Sequence, residues 1–138
     1  MLRVKLAATF ILCLAAGSVS AAYPDRPVRL VLPVGPGGAV DVVGRIIGQK
    51  LSGLLGQNVV IDNRGGANYI IGTELVARSA PDGYTLLSTA GAHTINPAVY
   101  RKLPYDALRD FTPIIYVANS TGLVIVVHPS SRRNRSHS

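Results

Sequence analysis

Cysteine is scarce in this sequence, with one residue, Cys13, among 138. It lies in an apolar run, residues 6–16, that is too short for a membrane span of about 20 residues. Two basic residues, Arg3 and Lys5, precede the run, and mostly small residues, 17–22, follow it. This is the pattern of a secretory signal peptide, with cleavage predicted after Ala22. The sequence therefore predicts a signal peptide at residues 1–22 and a periplasmic mature chain that has no disulfide.

Charged residues are also few, at 15%, although the formal net charge is +7. Five of the basic residues lie at the two ends of the chain, and the remainder has nine basic residues against seven acidic ones. Those nine are scattered along the sequence and form no basic stripe of the kind that binds a phosphate backbone. The sequence therefore predicts no nucleic-acid partner.

The residue sets of common catalytic and metal sites are missing. His93 and His128 are far apart in the sequence and have no Cys or Glu at metal-ligand spacing. Ser88 shares a predicted loop with His93, but no nucleophile-elbow motif surrounds it. The sequence therefore predicts neither an enzyme nor a metal site.

A dinucleotide cofactor is excluded on similar grounds. Gly35 and Gly37 follow an apolar run, and Asp62 stands where a ribose-binding acid is expected. Val40 occupies the position that the third glycine of the fingerprint requires, and Pro36 separates the first two glycines. We therefore predict no cofactor.

Apolar runs alternate with helical patterns along residues 28–87. Residues 28–32 predict a strand, and a glycine turn at 35–38 follows it. Apolar residues then recur at spacings of three and four up to Leu55, which predicts an amphipathic helix ending at Gly56. The remaining predicted elements are strands at 59–61, 84–87, 113–118 and 123–127 and a helix at 70–80, with a polar connection around Asn96 and Pro97. This order indicates an α/β fold with a largely parallel sheet and flanking helices.

The loops after the predicted strands are the candidate ligand site, because ligands of open α/β sheets bind beyond the carboxyl ends of the strands. Backbone N–H groups of residues 37–39, together with the hydroxyls of Ser88 and Thr89, suit a carboxylate. The alternative is that the glycines only form tight turns. Asp41 is either a ligand contact or a first-turn acid paired with Arg45. Arg64 either neutralises an anionic ligand or lies in solvent.

Five motifs in order resemble a known family. They are YPDRP at 23–27, PxxPGGxxD at 33–41, APDGYTLL at 80–87, INPxxY at 95–100 and LPYDxxxDFxPI at 103–114. Together they resemble the tripartite tricarboxylate transporter substrate-binding proteins, the Bug/TctC family of periplasmic receptors. The sequence departs from the family pattern at Gly65, where a proline is usual, at Tyr69, which adds bulk, and at Val40, where a hydroxyl residue is common.

The resemblance implies a periplasmic binding protein of two lobes, which closes on a small carboxylate and delivers it to membrane transporter subunits. Residues 23–130 are then a partial N-terminal lobe, the second lobe is missing, and residues 131–138 are a disordered basic tail. The implied ligand-binding residues are Pro36, Gly37, Gly38, Ala39, Asn68, Ser88, Thr89, Ala90 and His93. With half a cleft, we expect weak or no ligand binding. Two alternatives remain: an exported half-domain that docks another chain, and the non-functional product of a disrupted gene.

Overall fold

The computed structural model describes residues 23–119. Three strands and three helices alternate along this part of the chain: β1 (Val28–Leu32), α1 (Ala39–Leu55), β2 (Val59–Asn63), α2 (Ile70–Ala77), β3 (Thr85–Leu87) and α3 (Ala92–Val99). The strands form one sheet in the order β2-β1-β3, and both pairs are parallel. Leu30 stands opposite Ile61 on one side and Leu86 on the other. The predicted α/β fold with a parallel sheet is confirmed.

The central strand β1 forms most of the buried core. Val28, Val31 and Leu32 have no exposed surface, and Leu30 is 4% exposed. A continuous apolar run of this kind is typical of a parallel strand that is covered on both faces. The core therefore lies along β1, and the loops of the site emerge from its carboxyl end.

Two glycines let α1 lie directly on the sheet. A Cβ atom at Gly44 would lie 2.6 Å from Leu32 Cδ2, and one at Gly48 would lie 2.8 Å from Ile61 Cδ1. Glycine lowers helix propensity by about 1 kcal/mol relative to alanine. Here the two glycines create the space into which side chains of β1 and β2 pack.

The ends of α1 match the sequence prediction. The helix begins directly after the glycine turn, and Gly56 ends it in the left-handed conformation, with φ +66° and its N–H donated to Ser52 O at 3.1 Å. The second helix, α2, ends at Ala77, three residues before the predicted end at residue 80. The third strand was predicted from residue 84 and begins at Thr85.

Two predictions for the later part of the chain are wrong. The predicted polar connection around Asn96 and Pro97 is the helix α3. The predicted strand at 113–118 has no regular secondary structure and joins no sheet among the described residues, and Ile114 and Ile115 are 76% and 79% exposed. The predicted signal peptide at 1–22, the strand at 123–127 and the tail at 131–138 lie outside the described residues. Between residues 23 and 119, no helix has the length and apolar character needed to cross a membrane.

The segment before β1 is fastened to the turn before β3. The hydroxyl of Tyr23 donates to Gly83 O at 2.7 Å, and that of Tyr84 donates to Asp25 Oδ1 at 2.5 Å. Arg26 forms an ion pair with Asp82 at 2.8 Å, and its guanidinium lies 4.1 Å from the centre of the Tyr84 ring. These contacts lie at the amino end of the sheet, opposite the loops that follow the strands.

Candidate functional site

The carboxyl ends of all three strands lie at one edge of the sheet, because the strands are parallel. The loops that follow them, residues 33–38, 64–69 and 88–91, lead into the N-termini of α1, α2 and α3. We call them loop 1, loop 2 and loop 3. Backbone hydrogen bonds join loops 2 and 3 to the end of β1: Arg64 N–H donates to Leu32 O at 2.8 Å, and Ser88 N–H donates to Val31 O at 3.0 Å.

All nine residues that the sequence nominates for ligand binding lie on these loops or on the first turn of α1 or α3. Loop 1 carries Pro36, Gly37 and Gly38, and Ala39 begins α1. Asn68 lies in loop 2, loop 3 carries Ser88, Thr89 and Ala90, and His93 is the second residue of α3. The topology therefore brings them to one edge of the sheet, and their contact with a ligand stays a prediction.

Asp41 holds loop 1 in shape. Its side chain is only 5% exposed, and it accepts hydrogen bonds from Arg45 Nε at 3.0 Å, Gly37 N–H at 2.9 Å and Asn63 Nδ2 at 2.9 Å. The hydrogen bond from Arg45, followed by those from Gly37 and Asn63, lowers the pKa of Asp41 to about 2. The predicted ion pair with Arg45 is confirmed, and the carboxylate serves the fold of the loop.

The hydrogen bond between Gly37 and Asp41 reduces the number of backbone N–H groups that loop 1 can offer to a ligand. The N–H of Gly37 is donated to Asp41, so it is not free for a ligand in this structure. The N–H groups of Gly38 and Ala39 have no hydrogen-bond acceptor among residues 23–119, as expected for the first positions of a helix. Of the three backbone donors predicted at residues 37–39, those of residues 38 and 39 therefore remain free.

Asn63, the last residue of β2, connects loops 1 and 2, and the sequence analysis did not single it out. Besides Asp41, its Nδ2 donates to Val34 O at 3.3 Å, and its Oδ1 accepts from Arg45 Nη2 at 3.2 Å. The two loops also approach closely, since a Cβ atom at Gly65 would lie 2.9 Å from Gly35 N. The glycine that departs from the family pattern at 65 is thus the residue that fits this approach.

Loop 2 contains three consecutive non-glycine residues in the left-handed conformation. Ala67, Asn68 and Tyr69 have φ values of 46°, 50° and 73°. This conformation is unfavourable by roughly 1–2 kcal/mol for each L-residue, although asparagine tolerates it better than most. Asn68 Nδ2 donates to Asn96 Oδ1 at 2.8 Å, and Asn96 Nδ2 donates back to Asn68 O at 2.8 Å. Asn96 is a second residue that the sequence analysis missed, since it was assigned to a connection.

Loop 3 and α3 contribute a hydroxyl and an imidazole. Thr89 Oγ1 is buried and has no hydrogen-bond partner in the described part of the chain. The ring of His93 packs against Phe111 and Tyr105, with ring centres 5.0 and 6.2 Å apart, and its Nε2 lies 3.3 Å from Ala107 O. The imidazole therefore packs in an aromatic cluster. Its buried Nδ1, like the Thr89 hydroxyl, has no partner among the described residues and is left for water or a ligand.

Arg64 pairs with a neighbouring carboxylate. Its Nε lies 2.9 Å from Asp62 Oδ1, and Asp62 also accepts a hydrogen bond from Arg29 Nε at 2.8 Å. Burial alone would raise the pKa of Asp62, but the hydrogen bonds from the two arginines outweigh it and hold the pKa below its ordinary value. The guanidinium of Arg64 is half-exposed and paired with Asp62. Of the two roles predicted for Arg64, this favours a side chain in solvent over one that binds an anionic ligand.

Neither the surface depressions nor the acidic side chains of residues 23–119 provide a second candidate ligand site. A surface depression of about 430 Å³, lined by Val60, Asp62 and Arg64 among others, includes none of the nine nominated residues. Across residues 23–119, no group of three or more His, Cys, Asp and Glu side chains is placed to hold a metal ion. We therefore base the site on the strand-end geometry.

An open parallel sheet whose strand-end loops meet at helix N-termini defines an α/β ligand-binding domain. The model of the tripartite tricarboxylate transporter family receptor matches residues 43–136. The chain belongs to this family, which is one of periplasmic binding proteins and not of enzymes.

Among similar proteins is a UPF0065 protein from the tcbD-tcbE intergenic region of Pseudomonas sp. strain P51, which is 41% identical over 114 residues, 83% of this chain and 33% of that protein. Rpa4515 of R. palustris, solved with adipate, is 45% identical with a TM-score of 0.64, over 67% of this chain and 31% of that one. MatC of Rhodopseudomonas palustris, solved with bound malate, is 36% identical with a TM-score of 0.64, over 69% and 33%. The chain spans about a third of the length of the curated relatives it matches.

Proposed function

We propose that this chain takes part in the capture of a small dicarboxylate in the periplasm, as a component of a solute receptor that serves a membrane transporter. The single observation that carries the proposal is the pair of free N–H groups of Gly38 and Ala39, on a loop held in shape by Asp41. Residues 1–22 would direct export as a cleaved signal peptide. Malate and adipate, with which two similar proteins were solved, each carry two carboxylates.

The chemistry of loop 1 suits a carboxylate without a dedicated cation. Backbone N–H groups at a helix N-terminus bind anions, because they point outward and the helix dipole is positive there. Asp41 is nearby, but its charge is offset by Arg45 and its oxygens already accept hydrogen bonds. It therefore repels an incoming carboxylate less than a free aspartate would.

The proposal is tested by titrating the ¹⁵N-labelled full chain with malate and with adipate while its amide resonances are recorded. We expect weak but saturable shift changes at the amides of Gly38 and Ala39. Adipamide, which has the length of adipate and no charge, serves as the control and should leave both resonances in place. Equal responses to adipate and adipamide, or no saturable response to either dicarboxylate, would contradict carboxylate capture by loop 1.

A matched pair of substitutions at residue 38 isolates the hydrogen bond. Gly38 has φ −81°, which proline adopts, and a Cβ atom there would meet nothing within 4 Å. Gly38→Ala keeps the N–H and should bind as the parent does. Gly38→Pro removes the N–H and should weaken dicarboxylate binding by about tenfold or more, as expected for a hydrogen bond to a charged group. Equal affinities for the two variants would exclude this N–H as a ligand donor.

Docking of another chain is the second candidate function, and one observation favours it. Ile114, Ile115 and Tyr116 are consecutive in the chain and are each more than 75% exposed. Exposed apolar surface of this kind is typical of contact sites. Sedimentation of the full chain over a range of concentrations discriminates the two, because a monomer at every concentration would remove this support for docking.

A further inference from the structure

Loop 2 needs an external support, because its own sequence does not favour its conformation. Ala67 and Tyr69 have positive φ values, yet neither has a short polar side chain that bonds to the local backbone. Within the loop, the N–H of Ile70 donates to Ala67 O at 3.1 Å, which closes a single turn. One such bond is weak compensation for three residues in the left-handed region.

Two contacts fasten the loop from outside. On the α2 side, Tyr69 O accepts hydrogen bonds from Thr73 N at 3.1 Å and Thr73 Oγ1 at 2.8 Å, and Thr73 has no exposed surface. On the α3 side, Asn96 exchanges two hydrogen bonds of 2.8 Å with Asn68. Asn96 also has no exposed surface, although it lies 28 residues further along the chain.

The contact between Asn68 and Asn96 is specific in both directions. The side-chain amide of Asn96 donates to the backbone carbonyl of Asn68, and the side-chain amide of Asn68 donates to the side-chain oxygen of Asn96. An apolar residue at 96 would remove the partners of two polar groups of residue 68 in a part-buried contact, which is unfavourable. The bond pair therefore fixes the backbone at residue 68 and joins the start of α2 to the middle of α3.

We propose that Asn96 is a positioning residue of the carboxylate site, which holds loop 2 in its left-handed conformation from the side of α3. Asn96 is buried and acts on the site through Asn68. This inference rests on the proposed function, since loop 2 forms the edge of the site next to loop 1. It predicts that the shape of loop 2, and with it the affinity of the site, depends on a residue outside the three loops.

The test compares the ¹⁵N-labelled full chain with two variants, Asn96→Leu and Asn68→Gly/Asn96→Leu, by amide shifts and hydrogen exchange. Asn96→Leu keeps the branched shape of the side chain and removes both hydrogen bonds, so we expect new amide shifts for residues 66–70. Exchange at Ile70 N–H should become about tenfold faster, in line with the loss of a net hydrogen bond. The amide of Arg64, which is bonded to Leu32 O, should be unaffected. Unchanged resonances for residues 66–70 would overturn the proposal.

A rescue experiment distinguishes a positioning role of Asn96 from a role in core packing alone. Asn68→Gly makes the left-handed conformation favourable at residue 68 and leaves its carbonyl in place. In the double variant Asn68→Gly/Asn96→Leu, we expect Ile70 exchange and the amide shifts of residues 69 and 70 to recover much of their parental values. A double variant as impaired as Asn96→Leu alone would assign Asn96 a packing role only and overturn the inference.

Adipate titration of the same variants distinguishes this inference from the proposed function. We expect Asn96→Leu to weaken binding by about tenfold, the order of one lost hydrogen bond. No binding of malate or adipate by the parent chain would refute the carboxylate function, while the loop resonances would still decide whether Asn96 holds loop 2. Parental affinity in a variant whose loop has changed shape would overturn the positioning role.

Discussion

Asp41 shows how one side chain determines which donors a loop offers. A first-turn acid that pairs with a residue four positions later is readable from sequence, and the structure contains that pair. The bond from Gly37 N–H is not readable, because it depends on the backbone path of a turn that contains glycines with free φ. The predicted donor set therefore includes one N–H that the fold itself uses.

Asp41 should also make the stability of the chain depend on acid pH. Its pKa in the folded chain is about 2, against an ordinary value of 3.8, so the unfolded chain binds more protons between these values. Its stabilisation is present well above pH 3.8 and is lost as the pH falls towards 2. We expect Asp41→Asn to lower the urea midpoint at pH 7 and to flatten the decline in stability between pH 4 and pH 2.

Glu74→Gln is the matched control for this experiment, since it removes the same charge from an ion pair on α2. The urea midpoint of Glu74→Gln should fall with decreasing pH as that of the parent chain does. Asp62 and Asp106 contribute to this fall, because their pKa values are also lowered in the folded chain. An Asp41→Asn curve parallel to that of the parent at every pH would contradict the role assigned to Asp41.

At the scale of elements, the prediction succeeded where periodicity and end signals agreed. β1 and α1 have an apolar run, a glycine turn, a helical stripe and a terminal glycine, and their bounds were predicted to within a residue. The helix α3 was missed because Asn96-Pro97 is typical of a turn, whereas in the fold Asn96 is buried and bonded to Asn68. The left-handed run at 67–69 was also unpredictable, because neither Ala67 nor Tyr69 favours it.

The wrong strand at 113–118 has a different cause. Its apolar residues favour extended backbone, but a strand also needs a partner for its N–H and C=O groups. No neighbouring strand pairs with it in the part of the chain that the structure describes. The local sequence indicates which backbone conformation a segment favours, whereas strand pairing depends on which other segment lies beside it.

Replacing a glycine of α1 by alanine should have opposite effects on stability at two positions. Gly44 faces Leu32, and an added Cβ would lie 2.6 Å from a fully buried side chain, so Gly44→Ala should destabilise the chain by about 1–3 kcal/mol through overpacking. Gly53 is exposed with nothing within 4 Å, so Gly53→Ala should stabilise it by up to about 1 kcal/mol. Urea unfolding followed by circular dichroism measures both, and equal effects would contradict the close approach of α1 to β1.

At the scale of the whole molecule, the parallel sheet places the candidate binding loops and the contacts of the N-terminal segment at opposite edges. The strand-end loops lie at its carboxyl edge, and the contacts of residues 23–26 with the turn at 82–84 lie at its amino edge. The resemblance identified motifs at both edges, YPDRP and APDGYTLL as well as PxxPGGxxD, without indicating their roles. The structure assigns the first two to a mutual contact and the third to the candidate site.

Tyr84→Phe tests this separation. The hydroxyl of Tyr84 donates to Asp25 Oδ1 and accepts from Asp25 N–H, and the bond to Asp25 raises the pKa of Tyr84. Phenylalanine keeps the ring that packs against Tyr23 and Arg26 and removes only these bonds. We expect a lower urea midpoint with unchanged adipate-induced shifts at Gly38 and Ala39. Tyr116→Phe, at an exposed ring, should change neither quantity, and weakened adipate binding in Tyr84→Phe would show that the two edges are coupled.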